Sequence, residues 1–245
     1  MTEVLAAWAQ RFFELGALGC RLRAEPEPAR ELVGDSELEP DLEPEPAPAR
    51  PTPAPAPCTP ALVFDTETCG SKGAQLAVQI AWIVYDGAGA EVRARCEYLA
   101  LPPGRTINYF AQRVHGISDA IVRERGMAPQ FVLADFFDAV ERVTADGGHV
   151  VAHNARFDAQ VVTNTAESCG LARDLRAEDC LCTMERSKHW LKLVNKRGGL
   201  KAPKNAELYA HLVGIELDQS TLHNALNDVR VTGASFFAGR KKGWW

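Results

Sequence analysis

The chain has 245 residues with 46% apolar side chains, enough for one domain of about 150–200 residues with a substantial core, plus a tail. Its formal charge of −5 is unevenly spread: residues 1–60 hold 11 acidic and five basic side chains, leaving 22 basic and 21 acidic in residues 61–245, so the acidic total does not exclude a polyanionic partner. Seven cysteines without a CxxC pair argue against a disulfide framework or zinc knuckle, and the chain shows neither an apolar run of ~18 residues nor a basic leader, so a reducing, cytoplasmic setting away from membranes is expected.

In chain order, Leu5, Trp8, Phe12 and Leu15 form an apolar stripe at helical spacing, which predicts a short amphipathic helix over residues 1–23. Residues 24–60 alternate Glu, Pro and Ala, a composition that cannot pack and predicts an extended, acidic, disordered linker. The folded domain is expected over residues 61–245. Leu62 to Phe64 reads as a buried strand, Leu76 to Tyr85 as a second, and Val92 to Tyr98 as a third whose alternation with Arg93, Arg95 and Glu97 predicts a half-buried ladder. These three form an antiparallel meander. Leu133, Phe136, Phe137 and Val140 predict a helix after Pro129, ended by Gly147-Gly148 before a short strand from His149 to Ala152. Further helices are expected through Asp158, near Thr183 to Leu193, from Pro203 to Leu212, and from about Leu222 to Ala238. Helices crossing between strands imply an α/β fold, a mixed sheet covered on both faces.

Four carboxylates carry the chemistry. Asp65 and Glu67 are two apart, so on a strand they leave the same face and can converge. Asp158 follows a strand end and Asp228 lies in the last helix. An acid ending an apolar run is strongly destabilising without a partner, and such an oxygen-rich set suits magnesium or manganese. Two such ions can clamp the attacking and leaving oxygens of a phosphodiester. His223 precedes Asp228 by five residues, roughly 140° further round a helix. It is therefore expected not to share an ion with Asp228 in the same way but to take a proton from the attacking water.

Phe64-Asp65-Thr66-Glu67-Thr68, His153-Asn154-Ala155-Arg156-Phe157-Asp158 and His223-Asn224-Ala225-Leu226-Asn227-Asp228 together resemble the three motifs of the DnaQ-like, DEDDh 3′→5′ exonucleases. That family includes the proofreading epsilon subunit of bacterial DNA polymerase III and stand-alone and phage members. The resemblance spans about residues 61–240. It implies a ribonuclease H-like fold, Asp65, Glu67, Asp158 and Asp228 as ligands of two Mg²⁺ or Mn²⁺ ions, and His223 as general base. Asn224 stands where the sister class has tyrosine, which favours the histidine type. The segment Val114-His115-Gly116-Ile117 is similar to the family's stretch beside the terminal nucleotide. By that likeness Thr66, Thr68, Val114, His115 and Phe157 line the substrate pocket. Cys69 departs from the family's second threonine, away from metal binding.

The implied activity is removal of nucleoside 5′-monophosphates from the 3′ end of single-stranded DNA, in proofreading or repair. Two alternatives stay open: an exoribonuclease, and a noncatalytic module binding nucleic acid or a polymerase, with residues 1–60 as the tether. His153 and Asn154 are expected to satisfy backbone groups at a strand-to-helix turn. The run Arg186 to Lys204 has no acidic residue and includes Trp190. It is either a solvated helix and loop or a backbone-tracking patch with a stacking ring. Trp244 and Trp245 can simply tuck onto the domain.

Overall fold

The computed structural model describes residues 59–70, 75–217 and 223–245. The expected N-terminal helix and all but the last two residues of the expected linker lie outside the described residues. Strands β1 (Ala61–Thr68), β2 (Ala77–Tyr85) and β3 (Glu91–Tyr98) form the expected antiparallel meander. Strand β4 (His149–Ala152) pairs parallel with β1, and β5 (Cys180–Cys182) parallel with β4, giving the order β3-β2-β1-β4-β5. The helices are α1 (Tyr109–His115), α2 (Asp119–Arg125), α3 (Pro129–Ala145), α4 (Ala155–Ser168), α5 (Thr183–Leu191), α6 (Asn205–Val213) and α7 (Ala225–Lys241).

Alternation along β1 sorts the core. Leu62 and Phe64, with Ile80 and Trp82 of β2, pack on Leu133 and Phe136 of α3 and Val162 of α4. Ala61 and Val63, with Ala81, Ile83 and Tyr85, pack on Val229 and Phe236 of α7. Both sheet faces are therefore covered, which is why β1 and β2 read as continuous apolar runs rather than alternating ones. Burying Trp82 alone contributes on the order of 2–3 kcal/mol.

The third strand departs from the expected half-buried ladder. β3 is an edge strand whose first four residues, Val92 among them, are exposed. Arg93 and Arg95 meet Asp135 of α3 as ion pairs instead of packing. Only Cys96 and Tyr98 in its second half reach the core clusters.

Two helices were not anticipated. α1 has no buried residue and α2 only Val122, so neither shows an apolar stripe. They are held by their caps: Asn108 Oδ1 accepts from Phe110 N, and Ser118 Oγ accepts from Ile121 N. α1 lies against the end of β1. Gly70, at φ 61°, brings its backbone so near that an added Cβ would stand 2.5 Å from Ala111 Cβ.

At the far end of α7 the terminal residues fold back. Trp245 stacks on Phe236, centroids 6.1 Å apart, and donates to the Phe236 carbonyl at 2.8 Å. Gly239 makes room for it, since an added Cβ would stand 2.2 Å from the Trp245 ring. Trp244 stacks on Trp190 at 5.5 Å and contacts His211. The tail therefore ties α7 to α5 and α6.

Candidate active site

Asp65 and Glu67 alternate with Phe64 and Thr66 on β1, so they leave the sheet on the face that α7 covers. α7 begins at the same place: the Ala225 N–H donates to Oε1 of the buried Gln79 on β2 at 3.2 Å, and Asp228 stands in the first turn. Oxygens of Asp65, Glu67 and Asp228 consequently lie within 4.8 Å of one another.

The fourth acid arrives from the other side. Asp158, 3% exposed in the first turn of α4, accepts at Oδ1 from Thr66 N (3.1 Å) and from Thr66 Oγ1 (2.7 Å). The expected quartet thus meets as a tight trio with Asp158 held beside it. Thr66, expected in the substrate pocket, is buried and spends both its donors on Asp158.

No lysine or arginine among the described residues forms an ion pair with any of the four acids. Burial, then Asp158, Asp228 and Glu67, hold Asp65 well above the carboxylate range. Burial followed by Asp228 and Asp158 pushes Glu67 up to about 8. Asp158 rises to about 7, burial outweighing the opposing Thr66 hydrogen bonds. Asp228 is raised by burial against the His223 N–H. Like charges this close share protons unless a cation compensates them. The all-oxygen donor set fits a hard divalent metal.

His223 is not on the helix. It precedes the cap residue Asn224, at φ 66°, and its backbone N–H donates to Asp228 Oδ2 at 2.9 Å. The expected 140° offset therefore does not apply; the backbone bond is what keeps this exposed histidine beside the acids. His115 at the end of α1 accepts from Ile117 N at Nδ1 (3.0 Å), so its Nε2–H donates to the Thr68 carbonyl (3.1 Å). That tautomer is neutral, in keeping with a pKa lowered by burial and by nearby His223. Thr68 Oγ1 donates to Gln75 Oε1 at 3.2 Å. Val114 and Phe157 stand exposed on α1 and α4.

Other expectations need correction. His153 does satisfy a backbone group, but a carbonyl distant from its own turn: its Nε2–H donates to the Pro203 carbonyl (3.0 Å) and its Nδ1 faces Thr183 Oγ1 (3.1 Å). It thereby ties the end of β4 to α5 and to the approach to α6, and burial pushes it down to about 4. Asn154 is the α4 cap at φ 80° without a side-chain capping bond. Trp190 stacks on Trp244, just beyond the end of α7, so one face of its ring is already covered by this chain. Two residues that place Asp228 were missed. Gln79 was visible as the lone polar side chain in an apolar run. Asn205, which donates to the Asp228 carbonyl (3.2 Å) and to Thr232 Oγ1 (3.0 Å), carried no signal.

The RNase T exonuclease family model matches residues 62–236. The chain belongs to the RNase T exonuclease family. Curated proteins gave no match to this chain. Among solved structures, Escherichia coli exonuclease I in complex with a dA16 oligonucleotide is similar, with TM-score 0.59 and 19% identity over 76% of this chain and 42% of that one. Exonuclease I of Methylocaldum szegediense gives 0.58 and 21% over 76% and 41%. A 3′-exonuclease that recognises a histone mRNA stem-loop gives 0.58 and 13% over 75% and 64%. The chain thus spans about two fifths of exonuclease I, and the likeness shows a common ribonuclease H-like fold. Among the described residues no helix is long and apolar enough to cross a membrane.

Proposed function

We propose that this exonuclease is a metal-dependent 3′→5′ enzyme that hydrolyses the terminal phosphodiester of single-stranded DNA and releases nucleoside 5′-monophosphates, in cytoplasmic proofreading or repair. The observation that carries the reading is the convergence of Asp65, Glu67 and Asp228 within 4.8 Å, with Asp158 oriented by Thr66 beside them. These four acids would hold two Mg²⁺ or Mn²⁺ ions. When bound, such ions stabilise charge developing on the reacting phosphate.

The protein's own residues do the rest. His223, tethered through its N–H to Asp228, takes the proton of the attacking water. Neutral His115, fixed between Ile117 N and the Thr68 carbonyl, offers no charge of its own and walls the terminal pocket with Thr68, Val114 and Phe157. Thr66 serves that pocket from behind, through Asp158. Retention of all four acids argues against a noncatalytic module. Residues 1–60 would supply the tether to a polymerase or other protein partner.

The test is digestion of matched 5′-labelled DNA and RNA oligomers with Mg²⁺ or Mn²⁺ and with chelator. Shortening of the DNA from its 3′ end with mononucleotide release, abolished by chelator, is expected. Faster loss of RNA transfers the reading to an exoribonuclease, the class to which the similar stem-loop-binding 3′-exonuclease points. Internal cuts or turnover in chelator overturn it.

A further inference from the structure

α1 reverses the usual arrangement of a surface helix. Its large apolar residues face solvent, Tyr109 being 66% and Phe110 74% exposed, with Val114 also exposed, while no residue of the helix is buried. Such a face is normally unfavourable and marks a contact surface.

The helix is nonetheless fixed firmly at the acidic site. Asn108 N donates to the Cys69 carbonyl at 2.8 Å, and His115 Nε2 bonds the Thr68 carbonyl at 3.1 Å. Thr68 and Cys69 directly follow Glu67 on β1. Both ends of α1 are therefore anchored to the strand that carries two of the acids, and its inward contacts are made by Ala111 and His115. The aromatic rings are left outward on a rigid base.

Their arrangement suits flat ligands. Tyr109 and Phe110 meet edge to face, centroids 5.6 Å apart at 73°, so the pair takes up only one face of one ring. The Arg113 guanidinium sits 5.8 Å over the Tyr109 ring. Arg123 lies on α2, while Arg105 donates to Cys69 Sγ at 3.8 Å and Arg125 sits 4.9 Å over the Tyr98 ring. An exposed aromatic pair with Arg113 beside it, anchored to the strand of the carboxylate site, matches a single strand: bases for the rings, phosphates for the guanidinium group.

We propose that Tyr109, Phe110 and Arg113 form a stacking platform for unpaired bases of the substrate strand upstream of its 3′-terminal nucleotide. The inference rests on the exonuclease reading of the carboxylate site and extends it from the terminal residue to strand length. Duplex ends, whose bases are already stacked on each other, gain nothing from the platform. Single strands of several nucleotides are therefore the substrate class.

The experiment compares wild type with the double variant Tyr109→Ala/Phe110→Ala and with Phe110→Trp. One substrate is a single-stranded octamer bearing 3′-terminal phosphorothioate linkages, with Mg²⁺, read by fluorescence anisotropy. The other is the p-nitrophenyl ester of thymidine 5′-monophosphate, which engages only the terminal pocket, read by turnover. Base stacking on an aromatic ring is worth about 10-fold or more per base. The double variant should therefore bind the octamer about 10- to 100-fold more weakly, while ester turnover and thermal midpoint stay unchanged and Phe110→Trp keeps wild-type affinity. Unchanged octamer affinity in the double variant, with normal wild-type hydrolysis, overturns the platform and leaves the exonuclease reading standing. A wild-type chain that hydrolyses neither the ester nor an unmodified octamer removes both. Equal loss of ester turnover and octamer affinity also overturns the platform, because it places the rings in the terminal pocket.

Discussion

Neutralising one acid of the site should stabilise the metal-free chain while destroying its activity. In Glu67→Gln the shape is kept and the charge removed. Glu67 is pushed from an ordinary carboxylate value to about 8 by burial, Asp228 and Asp158, so its folded-state pKa lies above that of the unfolded chain. A group raised in this way gives stability that is full below the unfolded pKa and is lost as pH rises through the folded value. Metal-free wild type should therefore weaken between about pH 4.5 and 8. At pH 7 the gap of about 2.5 units, at 1.36 kcal/mol each, bounds the loss from this group at about 3 kcal/mol. Asp65, Asp158 and Asp228 share protons with it, and its side chain is partly exposed, so a gain of about 1–2 kcal/mol is expected on substitution.

For a domain of this size that gain is a rise of roughly 2–8 °C in thermal midpoint in chelator. The assay is thermal unfolding by circular dichroism at several pH values, in EDTA and in Mg²⁺ or Mn²⁺. Wild type should lose stability with rising pH in EDTA and recover it with metal. Glu67→Gln should show a flatter pH dependence, a smaller metal response and no nuclease activity. A variant no more stable than wild type in EDTA, with the same pH slope, refutes the reasoning that these acids repel one another in the fold.

Thr66→Val removes the hydroxyl that holds Asp158 at 2.7 Å, and leaving a buried carboxylate one donor short should cost about 1–3 kcal/mol by denaturant unfolding and lower kcat more than KM. Gly70→Ala adds a Cβ at a positive φ and 2.5 Å from Ala111; displacement of α1 should raise KM for single strands, measured by steady-state digestion. For His153, pushed down to about 4 by burial, the sign is the reverse of Glu67: stability is present above about pH 6.5 and is lost as pH falls toward 4, by up to about 3 kcal/mol. Its ring-proton NMR shift should titrate near pH 4, whereas a midpoint above 6 contradicts the burial of the ring. Trp244→Ala unstacks Trp190 and frees the tail, costing about 1–2 kcal/mol in thermal unfolding without loss of ester turnover, since about 16 Å of helix separates Gly239 from Asp228.

What the sequence disclosed follows from period and chemistry. Two-sided burial makes β1 and β2 continuous apolar runs, and Pro129, Gly147 and Gly148 bound α3, so the meander, the main helices and the order of β4 after α3 were all readable. α1 and α2 escaped because helical periodicity reports a buried stripe, and α1 buries none. Their only marks were the caps Asn108 and Ser118. β5 is three residues long and half-buried, too short for any period to show. On β3 the alternation was real, but an edge strand need not bury its apolar face along its whole length, and Val92 does not.

At the site the identity of the acids was legible and their manner of meeting was not. Strand alternation does put Asp65 and Glu67 on one face, and it also puts Thr66 on the opposite one, where it meets Asp158 from α4. The site is therefore assembled through the sheet, with one strand serving α7 by its odd residues and α4 by its even ones. Each helix is registered by a polar group buried in the sheet: Gln79 takes the first amide of α7, and Thr66 takes the carboxylate of α4. Such groups are costly to bury unpaired, so a helix that slides loses its bond to the sheet and its place in the acid cluster together. That coupling gives a marginal cluster of like charges a fixed geometry before any cation arrives, and it explains why the lone glutamine in the β2 run, silent as chemistry, belongs to the site.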